Sequence, residues 1–381
     1  MNKVIIYQPG KLVFGEGTLD QFLTDYLSLG LKKMYLLTIT PVESLLVSVL
    51  KTLTEEGVDI KVNTEVLNEP SFADFEKILK DARAFGADSV VGIGGGSVMD
   101  VAKLLAAQLQ SDQDTREIIG NGLLKGRSTY LACLPTTSGT GSEVSPNAIF
   151  LDEMDGGKKG VISPFLVPDG AYIDPSLSVG VPSAVTAATG IDALTHCLEA
   201  YTNKFSHPMV DLFALEGIRL IGNYIKRACK DGQDLEARTM LALGSVYGGM
   251  CLGPVNTAAV HALAYPLGSD FKVPHGLSNA LLLPYVMEYN LESGVEKFAQ
   301  IARVLGAKEG SDAKETAING VSKIKEIMKE CDIPERLSDI NIPEDAIESM
   351  AKGAFEVKRL LNNNIKELKL EDIVDIYKKA Y

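Results

Sequence analysis

The stretch SVVGIGGGSVMDVAKLLA, residues 89–106, decides how the first half of the chain folds. It opens with an apolar run from Ser89 to Ile93, passes through three glycines and continues as a helical pattern to about Leu109. Glycine lets the backbone turn tightly and approach a ligand closely. A helix N-terminus offers unpaired N–H groups and partial positive charge, which suit a phosphate. The stretch therefore predicts a strand, a phosphate-binding turn and a helix capped by Ser97; a tight turn without ligand is the alternative.

The residues around this stretch alternate between short apolar runs and helical patterns. Ser71 is in a position to cap one of the helices, because its hydroxyl precedes an amphipathic run. The predicted strands are Val4–Tyr7, Leu12–Phe14, Met34–Thr38 and Asp59–Val62, and the predicted helices are 42–56 and 71–85. Such alternation is typical of a doubly wound parallel sheet, which binds ligands where its strands end.

A second polar turn lies in LPTTSGTGSE, residues 134–143. Its five hydroxyl residues are Thr136, Thr137, Ser138, Thr140 and Ser142, with two glycines between them. Hydroxyls and exposed N–H groups can line the ribose and phosphates of a nucleotide. A single turn of this kind is common without a ligand, but two in one α/β domain favour a nucleotide site. Lys159 follows in GGKKG, within reach of a phosphate or simply exposed to solvent.

The pattern changes after Asp174-Pro175, where long helical segments replace the strands. We therefore predict two domains, an α/β domain over residues 1–178 and an all-helical domain over residues 179–381.

Composition narrows the class of protein. The formal net charge of -13 argues against nucleic-acid binding, which needs basic residues to neutralise phosphates. Five scattered cysteines without a C-x-x-C pair argue against a disulfide framework or a thiolate zinc site and favour a reducing compartment. No apolar run reaches the roughly 18 residues of a membrane span, and no secretory signal is visible, so the cytoplasm is expected.

Histidine is rare in this chain, and its placement suggests a metal site. The four histidines are His196, His207, His261 and His275. In GIDALTHCLEAY, Asp192 and His196 are four residues apart and therefore lie on one face of a helix. His261 lies in an apolar helix and His275 in a Pro–Gly loop that opens another. One carboxylate and three imidazoles suit Zn²⁺ or Fe²⁺; His207 is expected to be structural or on the surface.

These segments resemble the iron-containing alcohol dehydrogenases over about residues 5–380. GGGSVMD with Lys103 is similar to that family's glycine turn, and PTTSGTGSEV to its second cofactor loop. VPDGAYIDP is similar to its domain junction, and GIDALTHCLEAY and PHG to its two metal segments.

The resemblance implies a Rossmann-like dinucleotide domain followed by an all-helical metal domain, as in dehydroquinate synthase, with the active site in the cleft between them. It implies a small alcohol or aldehyde substrate and a homo-oligomer, often a dimer. It also implies four metal ligands, Asp192, His196, His261 and His275. The residues that it places around NAD or NADP are Gly95, Gly96, Ser97, Asp100, Thr136, Thr137, Thr140, Ser142 and Lys159.

Two departures from the family leave details of the chemistry open. Tyr265 stands where many members have a histidine in the proton path, and a phenol with a pKa near ~10 is a poorer base at neutral pH. The proton can then come from Tyr265, the ribose or water. Ile39 and Thr40 stand where NAD-preferring members often carry aspartate, and no basic residue between 39 and 50 would attract the extra phosphate of NADP.

Other functions remain as alternatives. A glycerol-dehydrogenase-like or dehydroquinate-synthase-like enzyme would also bind metal and NAD, and a nucleotide-binding protein without catalysis would keep the turns. The complete ligand set favours the alcohol dehydrogenase.

Overall fold

The computed structural model of the protein describes residues 3–66, 69–154 and 156–381. The chain forms two compact units. The first, here called the α/β unit, contains residues 7–137 and 141–180. The second, the helical unit, contains residues 181–381 together with residues 138–140 and the N-terminal residues through Ile6.

The α/β unit is built on a sheet of six parallel strands, with a smaller three-stranded sheet beside it in the same unit. Its strands are β1 (Lys11–Phe14), β2 (Lys33–Leu37), β3 (Asp59–Asn63), β4 (Ser89–Gly94), β5 (Gly120–Asn121), β6 (Tyr130–Pro135), β7 (Asn147–Leu151), β8 (Lys158–Ile162) and β9 (Gly170–Ile173). The large sheet has the order β1-β9-β6-β4-β2-β3 and the small one the order β5-β8-β7. Every pair in the large sheet is parallel.

Helices cover both faces of the large sheet. They are α1 (Thr18–Ser28), α2 (Thr40–Glu55), α3 (Phe72–Phe85) and α4 (Gly96–Gln108). Side chains alternate along β4, so that Val90 joins the apolar cluster of α3 and α4 while Val91 joins that of α1 and α2. Both faces of the strands are therefore buried, which explains their continuous apolar runs.

The structure confirms most of the predicted elements of this unit and corrects two. Ser71 caps α3 by accepting a hydrogen bond from the N–H of Asp74 at 3.1 Å, as predicted. The strand predicted at Val4–Tyr7 is wrong, because these residues have no strand pairing in the single chain. Ser97 does not cap α4: with Ser97 as N-cap the helix would begin at Val98, but it begins two residues earlier, at Gly96, with Gly95 as N-cap.

The helical unit contains the other ten helices that the structure describes. They are α5 (Ser183–Tyr201), α6 (Pro208–Lys230), α7 (Leu235–Leu252), α8 (Ala259–Phe271), α9 (His275–Asn290), α10 (Val295–Val304), α11 (Ala313–Glu330), α12 (Ile347–Phe355), α13 (Lys358–Leu361) and α14 (Leu370–Ala380). All residues from 181 to 381 are described, and none lies in a strand. The predicted fold class, a parallel α/β part followed by an all-helical part, is confirmed.

Helix α5 lies inside this unit, since every residue from Gly190 to Tyr201 is buried. Its neighbours approach closely at glycines: a Cβ on Gly217 of α6 would lie 2.4 Å from the Sγ of Cys197. Polar residues on α5 therefore face protein rather than water, and each needs a partner. In the described ranges, no helix is both long and apolar enough to span a bilayer.

The α/β unit also buries a carboxyl group, that of Glu143, which is 2% exposed. Burial raises its pKa to about 7, and the charge of Lys103 opposes this only in part. A carboxyl whose pKa is raised on folding binds more protons in the folded than in the unfolded state. The free energy of unfolding therefore falls as the pH rises from the unfolded pKa of about 4.3 to the folded one.

We expect Glu143→Gln to remove the free-energy cost of ionising this buried carboxyl group. Relative to the parent, the stabilisation should grow by about 1 kcal/mol between about pH 6 and about pH 8, because the parent ionises a buried carboxyl over that range. Melting temperatures of both proteins at the two pH values measure the difference. Glu117→Gln, at an exposed position of the same unit, is the control. A stabilisation independent of pH would contradict the prediction.

Candidate metal centre and cofactor turn

One face of α5 carries three buried polar side chains. Asp192, His196 and Glu199 follow one another at intervals of four and three residues, which places them on the same side of a helix. They are 2%, 4% and 5% exposed, respectively. The helix thus directs two carboxylates and an imidazole into the interior of the helical unit.

Three of the four predicted ligands converge on a common point. The Oδ1 atom of Asp192 lies 3.6 Å from Nε2 of His261 and 3.6 Å from Nε2 of His275. One ligand atom from each of these residues lies within 4.8 Å of the other two. They come from α5, α8 and α9, so residues more than 80 positions apart in sequence meet at one site.

His196 lies beside this group. Its ring stacks on that of His261, with centroids 4.8 Å apart and planes 18° apart, and its Nε2 lies 3.7 Å from Oδ1 of Asp192. The Nε2 of His196 thus faces the same carboxylate oxygen as the Nε2 atoms of His261 and His275.

The electrostatics of the cluster favour a cation. Burial alone would raise the pKa of Asp192, but the neighbouring imidazoles, His196 first, lower it well below its usual range. Burial lowers the pKa of His196 to about 4, which keeps its ring neutral. For His261, burial alone would lower the pKa, but the charges and hydrogen bonds of Glu199 and Asp192 together raise it to about 9. Negative charge from Asp192 and Glu199 therefore dominates a site with little access to water.

Sequence reasoning missed Asn279, which lies among the ligand atoms. Its Nδ2 donates to Oδ1 of Asp192 at 2.7 Å and lies 3.2 Å from Nε2 of His261 and 3.3 Å from Nε2 of His275. Three acceptor atoms thus surround one donor nitrogen. The signal was available, because Asn279 follows His275 by four residues and shares its helix face.

Sequence reasoning also missed Glu199, which bonds to the far side of a ligand. Its Oε2 lies 2.6 Å from Nδ1 of His261. The spacing from Asp192 could have identified it, because a carboxylate in an otherwise apolar helix, seven residues after a ligand, shares that ligand's face.

The fourth histidine has a structural role, as expected. His207 is the N-cap of α6, where its Nδ1 accepts a hydrogen bond from the N–H of Met209 at 3.2 Å.

The glycine turn of the α/β unit joins a strand to a helix, as predicted. Gly94 ends β4, and its carbonyl accepts a hydrogen bond from the N–H of Thr136 at 2.9 Å. A Cβ on Gly94 would lie 2.8 Å from the side chain of Val98, so the turn needs glycine there. A Cβ on Gly95 would lie 3.5 Å from Oγ1 of Thr137, so the two predicted cofactor segments adjoin. Gly96 and Ser97 form the half-buried first turn of α4.

Asp100, which is predicted to lie around the cofactor, and Lys103 of the glycine turn both make hydrogen bonds within the α/β unit. Asp100 accepts hydrogen bonds from Oγ of Ser142 at 2.5 Å and from the N–H of Ile149 at 2.9 Å. Lys103 is fully buried and donates to the carbonyl and hydroxyl of Ser142 at 2.9 and 2.8 Å. It also donates to the carbonyl of Asn147. Helix α4 thereby fixes the end of the second loop.

The remaining predicted site residues lie on separate elements. Lys159 is on β8, paired with Phe150 of β7. Thr140 belongs to the short segment that joins the helical unit, where a Cβ on neighbouring Gly139 would lie 2.9 Å from that of Thr189. Tyr265 is half-buried on α8, one helical turn after His261.

Comparison with known families matches nearly the whole chain. Residues 9–175 match the family model described as iron-containing alcohol dehydrogenase. Residues 186–381 match the model described as the C-terminal part of the Fe-containing alcohol dehydrogenase family.

Individual proteins show the same relationship. The chain is 38% identical over 383 residues to long-chain-alcohol dehydrogenase 1 of Geobacillus thermodenitrificans, covering 99% of this chain and 96% of that one. It is 30% identical over 363 residues to sulfoacetaldehyde reductase of Bilophila wadsworthia, covering 94% of each. Its structure superposes on a crystal structure of 1,3-propanediol oxidoreductase with a TM-score of 0.96 at 30% identity, covering all of both chains.

Proposed function

The chain belongs to the iron-containing alcohol dehydrogenase family, and we propose that Asp192, His196, His261 and His275 hold the divalent metal with which it interconverts alcohols and aldehydes. Its relatives are alcohol dehydrogenases and aldehyde reductases, so the protein is an oxidoreductase that uses NAD(P)(H) and a divalent metal. The observation that carries the assignment of the ligands is the convergence of one oxygen and two nitrogens within 4.8 Å.

The residues present fit such a metal. Carboxylate oxygen and imidazole nitrogen are ligands that both Fe²⁺ and Zn²⁺ accept. The amide nitrogen of Asn279 lies within 3.3 Å of an atom of each of three proposed ligands, which supports a shared position for their lone pairs. The position of His196 supports a fourth ligand through Nε2, which lies 3.7 Å from Oδ1 of Asp192.

The chemistry divides between the bound groups and the protein. When bound, the metal polarises a substrate oxygen and the nicotinamide gives or takes the hydride. The protein's own residues set the charge and the geometry of the site. Asp192 supplies the negative charge of the ligand set, and the buried surroundings of α5 exclude water from the ligands. Exclusion of water strengthens each electrostatic contact within the site.

For the cofactor, we propose that its phosphates lie at the glycine turn. Gly95, Gly96 and Ser97 present backbone N–H groups at the start of α4, where the helix favours an anion. Thr136, Thr137, Thr140 and Lys159 would contribute side chains. Asp100 and Ser142 would act by bracing the loop, since their side chains bond to each other.

The relatives differ in the substrate that their names give: long-chain alcohols, sulfoacetaldehyde and 1,3-propanediol. We therefore propose that the substrate of this protein is a small alcohol or aldehyde. Oxidation of NADH and of NADPH by metal-loaded protein, against a panel of neutral and anionic aldehydes, ranks cofactor and substrate together. We expect turnover that a chelator abolishes and that Fe²⁺ or Zn²⁺ restores. Absence of turnover with metal and nucleotide bound would contradict the proposal.

Two histidine variants provide a matched comparison for the metal. His275→Ala removes one of the converging nitrogens and should lose both metal and activity. His207→Ala removes a histidine that caps a helix and is not a proposed ligand. This variant should keep metal and activity and lose about 1 kcal/mol of stability. Metal content after dialysis and turnover measure the difference. Equal metal retention in the two variants would contradict the ligand assignment.

We propose Tyr265 as the proton donor in aldehyde reduction. A phenol is a poor base at neutral pH, but reduction needs an acid, and a group with an ordinary pKa near ~10 is protonated there. Tyr265 lies four residues after His261 and so shares its helix face.

Tyr265→Phe should therefore lower kcat for aldehyde reduction by roughly 10²-fold or more, the usual contribution of a positioned acid. The affinity for NAD(P)H should stay unchanged, because the ring remains. Steady-state kinetics and a nucleotide titration separate the two effects. An unchanged kcat would assign the proton to water or the ribose.

We also propose a cytoplasmic homodimer joined through the N-terminal segment. Ile5 and Tyr7 are 53% and 43% exposed, and β1 is an edge strand of the large sheet. An exposed apolar edge favours pairing with another chain. Light scattering should give a dimer, and Ile5→Lys should shift it toward monomer. A parent protein that is monomeric at micromolar concentration would contradict this.

A further inference from the structure

Glu199 is a buried carboxylate on which three N–H groups converge. Its Oε2 receives the N–H of Ala258 at 2.9 Å and the imidazole Nδ1 of His261 at 2.6 Å. Its Oε1 receives the N–H of Val260 at 2.6 Å. The side chain is 5% exposed, so water does not compete for these positions.

These contacts attach Glu199 to the start of another helix. Helix α8 begins at Ala259, and the first N–H groups of a helix have no partner within it. A carboxylate there satisfies them and interacts favourably with the positive end of the helix dipole. His261 is the third residue of α8. Glu199 on α5 therefore holds both the backbone that carries His261 and the ring itself.

The hydrogen bonds also determine which nitrogen of His261 is available. A carboxylate only accepts, so the Nδ1 of His261 carries the hydrogen that points to Glu199. On the other side of the ring, the donor Nδ2 of Asn279 lies 3.2 Å from Nε2. A metal ligand must be a neutral ring, and with the hydrogen held on Nδ1 by Glu199 the neutral ring of His261 has its lone pair on Nε2. That lone pair points to Asp192 Oδ1 and His275.

We propose that Glu199 is a positioning residue of the metal centre: it fixes His261 as a ligand through Nε2 and thereby sets the affinity of the site for its metal. The inference rests on the proposed ligand set and adds to it a residue that does not touch the metal. Carboxylates bound to the far nitrogen of a ligating histidine orient the ring and raise its basicity as a ligand.

The first test is Glu199→Gln, with Zn²⁺ as the probe. An amide cannot accept at both of its ends, so one of the three N–H groups would face an NH₂ group. We expect the affinity for Zn²⁺, measured by competition with a chromophoric chelator, to fall roughly 10–100-fold. Asp211→Asn is the control, because it removes another partly buried carboxylate of the helical unit, 3.7 Å from Lys297. An affinity equal to that of the control would overturn the proposal.

A second test separates positioning from a general loss of structure. Glu199→Gln is combined with His261→Ala, and the Zn²⁺ affinities of the four proteins form a cycle. If Glu199 acts through His261, its replacement costs no further affinity once His261 is absent. An equal loss in both backgrounds would assign Glu199 a merely structural role and overturn the proposal.

A third measurement needs only the parent protein. With four histidines in the chain, a spectrum of protein labelled with ¹⁵N-histidine contains few signals, and His261→Ala identifies the one of interest. The Zn²⁺-loaded parent should show a hydrogen on Nδ1 of His261 and none on Nε2. The opposite pattern would overturn the proposal. Metal affinity is read without substrate, so these outcomes are distinct from a failure of the proposed activity.

Discussion

A carboxylate buried in a protein must be met by hydrogen-bond donors or positive charge, and Asp192 is such a group at 2% exposure. Around its Oδ1 the helical unit places imidazoles from three positions and the amide of Asn279. These groups come from α5, α8 and α9, so their convergence requires all three helices to be in register. The requirement of one buried charge for hydrogen-bond donors therefore links side chains of three helices.

Glu199 adds a second buried charge that meets a different need. Its oxygens satisfy N–H groups at the start of α8 and bind the far nitrogen of His261. The two carboxylates on one face of α5 therefore have different neighbours. Asp192 faces the imidazoles of the proposed metal site, and Glu199 faces the backbone that carries His261. The positions of the proposed metal ligands and the packing of α5 against α8 therefore depend on the same side chain.

The α/β unit uses a buried cation for a comparable purpose. Lys103 extends from α4 and donates to oxygens of Ser142 and Asn147, and Asp100 accepts from Ser142 and Ile149. The glycine turn and the hydroxyl-rich loop are separate in sequence, yet these bonds hold them to one helix. Asp100 is predicted from the sequence to lie around the cofactor, and in the structure its side chain, like that of Lys103, makes hydrogen bonds to the hydroxyl-rich loop.

The sequence by itself determined the fold class and the chemistry of the ligands. Apolar runs and helical periodicity arise from local burial, so the strands, the long helices and the paired Asp192 and His196 could be predicted from neighbouring residues alone. The prediction of a strand at Val4–Tyr7 was wrong, because a strand forms only where another strand pairs with it and a local apolar run does not reveal whether one does. Likewise, only the tertiary structure placed Asn279 and Glu199 against ligands of other helices, since hydrogen-bond partners across a core depend on packing that no local pattern records.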